Sequence, residues 1–287
     1  MFSNWFGKRK AAATTTTTTT ARPKGYAVCV GLNRVDAEAY GGWNGQLTAC
    51  ENDARDMARL LSGLGYEVTT LLGTLATTAM LRARIQDAAK RAVSGDIVVV
   101  TSSSHGGQVR DTDGTETDGL DETICLYDRQ LIDDELEHMW SMFCAGVRVM
   151  FVSDSCHSGT VVRALGSDVH VPGAKTAPRD ATTANYAAKY LDILAAKAAA
   201  RTRSAIKASV LSFGACQDNQ TAMDGPANGA FTGALLRALR VYPDAKPGAL
   251  IAHVRSVLPP VQSPTYVYAG PRDPVYEATP TFSITQL

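Results

Sequence analysis

The sequence lacks the features that mark several common classes of protein. Its 28 basic residues balance 28 acidic ones, so no global charge would draw the chain to nucleic acid. No apolar run approaches the roughly 20 residues that a membrane-spanning helix needs, and we expect no stable membrane insertion. The five histidines form no spaced cluster, which argues against a metal-dependent hydrolase. Hydrophobic residues make up 45% of the 287, as is typical of a globular protein.

The chain also lacks a C-x-x-C pair, although it has six cysteines. A zinc knuckle or a redox dithiol is therefore not expected. A chain this long can bury a full core without a disulfide framework. We expect reduced cysteines and a cytoplasmic location.

The first 22 residues lack any spacing of apolar residues that would give a helix or strand a buried face. Aromatic residues precede the basic ones near Met1, which is the reverse of the order in a secretory signal. Thr14 to Thr20 then forms a homopolymer. We predict a disordered tail over residues 1–22 and one domain over 23–287.

Short apolar runs predict strands, and apolar residues at helical spacing predict helices. The two kinds of segment alternate along that domain. The predicted strands cover residues 26–32, 67–72, 96–102, 147–152 and 209–215, and the predicted helices cover 49–64, 77–93, 132–143, 230–242 and 248–258. The pattern weakens between residues 163 and 207, where an exposed helix over 186–201 is expected. This order predicts an α/β fold with a mostly parallel sheet covered by helices on both faces.

Two predicted strands end in small polar residues and glycine, and each of these ends carries a reactive side chain. His105 follows the third strand and Cys156 follows the fourth. Because sites in open parallel sheets lie at the carboxyl ends of strands, we expect the two to meet as a nucleophile and its base. The alternatives are an inert cysteine and a histidine that only satisfies its own hydrogen bonds.

The chemistry of such a pair is that of acyl transfer. Imidazole takes the thiol proton, and the histidine later protonates the leaving amine. The tetrahedral oxyanion needs N–H donors, which the backbones of Gly106 and Cys156 can supply. His157 is a poor base because it adjoins Cys156, and neighbouring side chains point in different directions.

Several motifs then resemble a known family. Ser103-Ser104-His105-Gly106 resembles the Ser-Gly-His-Gly motif of the caspase-like clan, with Ser104 where glycine is usual. Residues Asp154 to Gly159 match the Asp-x-Cys-His-Ser-Gly motif of metacaspases. The resemblance extends over residues 24–287 and is to the prokaryotic single-chain type called orthocaspases. It implies a caspase-like three-layer sandwich with about six strands, divided into a large-subunit-like part (23–162), a linker (163–207) and a small-subunit-like part (208–287).

Substrate choice follows from the same resemblance. Metacaspases cleave after Arg or Lys through an acidic pocket, and the matching positions here are Cys50, Asp53, Ser103 and Asp154. Two carboxylates can hold a guanidinium by charge-assisted bonds. A protease of this specificity could cut its own basic linker, and Arg201 and Arg203 are the expected sites. The alternative is that the linker is only a solvated helix.

Many metacaspases are activated by calcium, a hard cation that carboxylates bind. Asp121, Asp133 and Asp134 match the family's ligand positions, whereas Arg163 replaces the fourth acidic ligand. No cofactor is required for the chemistry, and calcium is retained as a candidate activator. The acidic loop from Asp111 to Glu122 is otherwise a solvated connection.

Together these observations predict a cysteine endopeptidase that acts, as a monomer, on proteins or peptides with basic residues before the scissile bond. The competing hypothesis is a caspase-like pseudoenzyme that serves as a recognition or scaffold module. The presence of both Cys156 and His105 argues against it.

Overall fold

A six-stranded sheet passes through the centre of the computed structural model, which describes residues 22–111, 119–156, 173–201, 205–217 and 220–286. Its strands lie in the order β2-β1-β3-β7-β8-β9, and only β9 is antiparallel to its neighbour. A second, antiparallel sheet has the order β4-β5-β6. The strands are β1 (Gly25–Gly31), β2 (Glu67–Leu72), β3 (Ile97–Ser103), β4 (Gly106–Arg110), β5 (Leu120–Cys125), β6 (Gln130–Ile132), β7 (Arg148–Asp154), β8 (Ser209–Gly214) and β9 (Thr265–Ala269).

Helices cover both faces of the main sheet. In the described residues they are α1 (Cys50–Gly63), α2 (Thr78–Arg91), α3 (Asp133–Trp140), α4 (Arg179–Ala188), α5 (Tyr190–Arg201), α6 (Ala230–Val241), α7 (Pro247–Val257) and α8 (Pro274–Ala278). Helices α1, α6 and α7 share one large core cluster, and α2 and α3 share a second. Successive residues of a strand point to opposite faces, so Val99 joins the first cluster and Val98 and Val100 join the second.

The strand register shows at which edge of the main sheet the polar residues lie. Ser103, the last residue of β3, is level with Asp154, the last residue of β7, and with Gly31 on the other side. The chain leaves both central strands at this carboxyl edge, as expected for a site in a parallel sheet. His105 and Cys156 follow within two residues of these strand ends.

The segment before β8 differs from the sequence prediction. An exposed helix was expected over 186–201, but two helices, α4 and α5, occupy this part of the chain. Both carry buried residues, among them Asn185, Ile193 and Lys197. The alanine-rich sequence predicted helix correctly, whereas burial depends on contacts with distant strands and was predicted wrongly.

The predicted α/β class and the mostly parallel sheet of about six strands are confirmed. The sequence did not predict the small sheet, or the strand and short helix at residues 265–269 and 274–278. The proposed disordered tail, residues 1–21 of which lie outside the described residues, stays a prediction. None of the helices described is both long and apolar enough to cross a membrane.

Candidate active site

The loops that carry His105 and Cys156 are in direct contact. A Cβ atom added to Gly106 would overlap the carbonyl oxygen of Cys156 and lie against its backbone nitrogen. Only glycine therefore allows the chain after the histidine to approach the cysteine this closely. The fold thus brings the two predicted catalytic loops together at the carboxyl edge.

The Cys156 thiol is buried among polar partners. Its Sγ lies 3.4 Å from the carbonyl oxygen of Ala222 and accepts a short contact from the backbone N–H of the same residue. Burial opposes ionisation of this thiol, but hydrogen bonds with Cys216 and Ala222 more than offset that effect and lower the pKa of Cys156. The hydrogen bond with Cys156, followed by burial, raises the pKa of Cys216. Of the two thiols, Cys156 is the one prepared to act as a nucleophile.

His105 is held by contacts on its ring and on its backbone. Nε2 lies 3.1 Å from the carbonyl oxygen of Gly45 and donates to it, because a carbonyl oxygen only accepts. The ring of Trp43 packs edge-on against the imidazole, with 4.7 Å between centroids. The backbone N–H of Cys125 donates to the His105 carbonyl at 2.8 Å, and the Ser104 hydroxyl donates to the same oxygen at 3.0 Å. The serine at the usual glycine position is therefore accommodated inside the loop.

An acidic pocket lies beside this pair, formed by three of the four predicted positions. Asp53 comes from α1, and Ser103 and Asp154 come from the ends of β3 and β7. Ser103 donates to Asp53 at 2.7 Å, and Gly229 N–H donates to the other Asp53 oxygen at 2.9 Å. The pocket is closed to solvent, since all three side chains are buried.

The side chain of Lys175 fills the pocket. Its Nζ lies 3.2 Å from Asp53 Oδ2 and 3.0 Å from Asp154 Oδ1, and it donates to Ser103 Oγ at 2.9 Å. Burial disfavours the charge of this fully buried ammonium, but the carboxylates of Asp154 and Asp53 keep the pKa of Lys175 above its ordinary value. The site thus holds a basic side chain supplied by the chain itself.

The backbone of Lys175 lies across the nucleophile. Its carbonyl oxygen accepts the N–H of Gly106 at 2.9 Å and the N–H of Cys156 at 3.3 Å, the two donors predicted for the oxyanion. Lys175 N–H donates to Ala222 O at 2.9 Å, and Ala177 N–H donates to Gly106 O at 2.7 Å. The segment is thus paired on both sides in an extended form, as a bound peptide strand would be.

Sequence reasoning missed several contributors to this site. Thr232 donates to Asp154 Oδ2 from its backbone at 3.1 Å and from its hydroxyl at 2.6 Å. A Cβ atom at Gly229 would overlap Nζ of Lys175, so the pocket depends on that glycine. Gly229 precedes α6 and Thr232 lies in its first turn, and no local pattern indicates that the start of this helix reaches the ends of β3 and β7.

The remaining predicted site residues are placed as follows. Cys50 is buried at the start of α1, where burial raises the pKa of its thiol to about 12, and it is close enough to interact electrostatically with Lys175. Arg201 is the last residue of α5, and Arg203 lies outside the described residues. His157 and Arg163 also lie outside them.

The predicted calcium ligands do not fit calcium in this arrangement. Lys197 Nζ donates to Asp121 Oδ2 at 2.7 Å and lies 3.7 Å from Asp111 Oδ1, so a cation already occupies these carboxylates. Asp133 Oδ1 accepts the backbone N–H of Asp134 at 3.0 Å. Among the residues the structure describes, no three His, Cys, Asp or Glu side chains are grouped to hold a metal ion. Calcium activation stays a prediction that no geometry here supports.

Comparison with known proteins places this chain in a family. The model of the caspase domain, peptidase family C14, matches residues 24–285. Metacaspase-1 of Schizosaccharomyces pombe is 32% identical over 254 residues, and metacaspase-1 of Mycosarcoma maydis is 28% identical over 279 residues. The alignments cover 75% and 81% of this chain, and they span 58% and 66% of those relatives.

Solved structures agree with that placement. A protein of Geobacter sulfurreducens superimposes with a TM-score of 0.82 at 40% identity, over 92% of this chain and 100% of its own. Caspase-1 of Spodoptera frugiperda has a TM-score of 0.53 at 15% identity over 87% of each chain, which shows likeness of fold alone. The fold is of the caspase-like class. The chain belongs to the caspase domain family and has metacaspases among its relatives.

Proposed function

We propose that the chain is a cysteine endopeptidase that hydrolyses peptide bonds after Arg or Lys and also cuts its own linker. Cys156 is the nucleophile, and His105 is the general acid and base. The observation that carries the proposal is Lys175, whose side chain lies in the acidic pocket while its carbonyl lies on the two oxyanion donors. Lys175 therefore lies as a substrate residue would, with its side chain in the specificity pocket and its carbonyl group at the position of the reacting carbonyl.

The charges of the pocket support the basic specificity. Asp53 and Asp154 are buried, and removing a positive partner would leave two desolvated carboxylates uncompensated. A neutral side chain in the pocket does not compensate these negative charges, and an acidic side chain adds repulsion. Arginine suits the same pocket because its planar guanidinium can donate to two carboxylates.

The chemical step follows from the same contacts. The Cys156 thiolate attacks the carbonyl carbon, and Gly106 N–H and Cys156 N–H stabilise the oxyanion. The C–N bond then breaks, and the departing amine takes its proton from the His105 imidazolium. Water, deprotonated by His105, hydrolyses the thioester and releases the new carboxylate. No step needs a cofactor or a metal ion.

We propose that self-cleavage occurs after Lys175 instead of after Arg201 or Arg203, the sites expected from the sequence. The bond between Lys175 and Thr176 follows the carbonyl that the oxyanion donors hold, and the segment around it is extended. Arg201 ends helix α5, so its peptide bond would have to leave helical conformation before it could enter the site. The docked segment also blocks the site, and its release would admit other substrates.

Protein substrates follow from the family, whereas the monomeric state and the cytoplasmic location are part of the proposal. All six cysteines are free, and five of them are buried. Reduced thiols in the core are expected of a protein that works in a reducing compartment.

Asp154→Asn tests the pocket. We expect kcat/KM for peptides ending in Arg or Lys to fall by about 10²–10³, as when one partner of a buried charge pair is removed. For the matched peptide ending in norleucine, which carries no charge, the variant and the wild type should differ little. The measurement is fluorogenic peptide hydrolysis at several substrate concentrations.

The matched control is Asp87→Asn, which removes an exposed carboxylate that pairs with Arg91 on α2. It should hydrolyse all the peptides at the wild-type rate. An Asp154→Asn variant that loses the same factor on the basic and the norleucine peptides would assign Asp154 a structural role and contradict the pocket.

A further inference from the structure

The docked segment is held by the catalytic loop on both sides of the bond that follows Lys175. Gly106 N–H donates to Lys175 O at 2.9 Å, and Ala177 N–H donates to Gly106 O at 2.7 Å. Gly106 and Thr176 thus form a parallel bridge, in which one residue bonds the two neighbours of its partner. The contacts therefore continue past the scissile bond of the proposed self-cleavage, onto the part of the chain that would leave as the amine.

The side chain of Ala177 lies in a small apolar cluster. Only 7% of the residue is exposed, and the cluster around it includes the buried residues Val35, Tyr40 and Cys125. The partly buried Trp43 packs against the same cluster. The methyl group of Ala177 is thus removed from water among apolar side chains, in a place where a charged group would have to give up its hydration.

Most of this cluster comes from the domain and adjoins the general acid and base. The connection between β1 and α1 supplies the three side chains that follow β1, and Cys125 ends β5. Trp43 packs edge-on against the His105 ring, and Cys125 N–H donates to His105 O. The cluster therefore lies on the side of the site from which His105 protonates the departing amine.

The close contacts in this part of the segment are concentrated at one residue. Of residues 176–179, Ala177 alone is buried, Thr176 and Pro178 are partly exposed, and Arg179 is exposed. Pro178 has no N–H to donate, and helix α4 begins directly after it. A peptide substrate bound in the same way would be recognised at its second residue after the scissile bond.

We propose that the site has a second specificity subsite, which takes a small apolar residue two places after the scissile bond. Gly106 O accepts the backbone N–H of that residue, and the cluster of Val35, Tyr40, Trp43 and Cys125 takes its side chain. The inference rests on the proposed peptidase activity, with the docked segment lying as a substrate does. It extends the substrate class to a basic residue, one intervening residue and a small apolar residue.

Hydrolysis of a peptide series by the wild-type full chain tests this subsite. The reference is an internally quenched peptide with the sequence of residues 173–178 followed by alanine, so that lysine is its only basic residue. Aspartate or lysine two places after the bond should lower kcat/KM by about 10²-fold, because an unpaired charge would be buried. Leucine there should lower it about tenfold, because its added carbons overfill the place of a methyl group.

Two further peptides and one variant complete the series. N-methylation of the alanine two places after the bond removes the N–H that donates to Gly106 and should lower kcat/KM about tenfold. Aspartate four places after the bond is the matched control, because Arg179 is exposed, and it should change kcat/KM by less than about twofold. Val35→Ala enlarges the cluster and should reduce the loss caused by leucine at least about threefold.

The outcomes separate this inference from the proposed function. Cleavage after lysine at equal kcat/KM for the alanine, aspartate, lysine and leucine peptides would overturn the subsite and leave the peptidase activity standing. No hydrolysis of any peptide, the reference included, would contradict the proposed function itself. A folded Val35→Ala chain with the full loss on leucine would overturn the assignment of the cluster. If that variant does not fold, the peptide series on the wild type decides alone.

Discussion

Cys156→Ala should abolish hydrolysis of peptides ending in Arg or Lys, with a loss in kcat of about 10⁴–10⁶. The substitution removes a thiol whose pKa is lowered by its hydrogen-bonding neighbours, in the residue whose backbone N–H is one of the two proposed oxyanion donors. His105→Ala should lose activity to a similar extent, and the double variant should lose little more. Residues that act together in one step have effects that are far from additive.

The matched control for this experiment is Cys144→Ala. Cys144 is an exposed thiol remote from the catalytic loops, and its loss should leave the rate unchanged. Hydrolysis that persists in Cys156→Ala would contradict the assignment of the nucleophile. A wild-type chain that neither hydrolyses peptides nor reacts with an Arg-directed, cysteine-reactive probe would favour the pseudoenzyme instead.

Lys175→Gln should eliminate the self-cleavage product that begins at Thr176. The neutral amide is one bond shorter than the lysine side chain and leaves Asp53 and Asp154 without their buried positive partner. Lys175→Arg should still be cut at the same bond, because a guanidinium also pairs with these carboxylates. Intact-mass analysis of the purified chains over time measures the products directly.

Two further chains make that experiment decisive. Cys156→Ala should remain uncut, which excludes a contaminating protease, and Lys189→Gln should be cut as the wild type is. Cleavage of Lys175→Gln at an unchanged rate after Arg201 or Arg203 would contradict the placement of the self-cleaved bond. That result would assign self-cleavage to Arg201, at the end of α5, or to Arg203, two residues later in the sequence.

Much of the fold could be predicted because its signals are local. The continuous apolar run at the start of Ile97–Ser103 predicts a strand that is buried on both faces, and apolar residues at a spacing of three or four in Cys50–Gly63 predict a helix with one buried face. The carboxyl-edge rule then placed His105 and Cys156 at one edge of the sheet, and the backbone contact at Gly106 confirms that their loops meet.

The rest could not be predicted because it depends on contacts between distant segments. Lys175 has no periodic or motif signal, and only the closure of the linker over the sheet brings its ammonium between Asp53 and Asp154. Lys197 lies in the helix that the sequence predicts to be exposed, and nothing near it in sequence indicates its ion pair with Asp121. The small sheet was missed because its strands are short and pair across loops, not along an apolar run.

Cleavage preference is the most direct test of the central claim that this peptidase selects a basic residue. The measurement is kcat/KM of the wild type for one peptide series that ends in Arg, Lys, citrulline, norleucine or Asp before the reporter. The account predicts that Arg and Lys exceed citrulline and norleucine by about 10²-fold or more, since a buried charge pair is formed only by the first two, and that Asp is not cleaved. Equal rates for Arg and citrulline, or a preference for Asp, would contradict it.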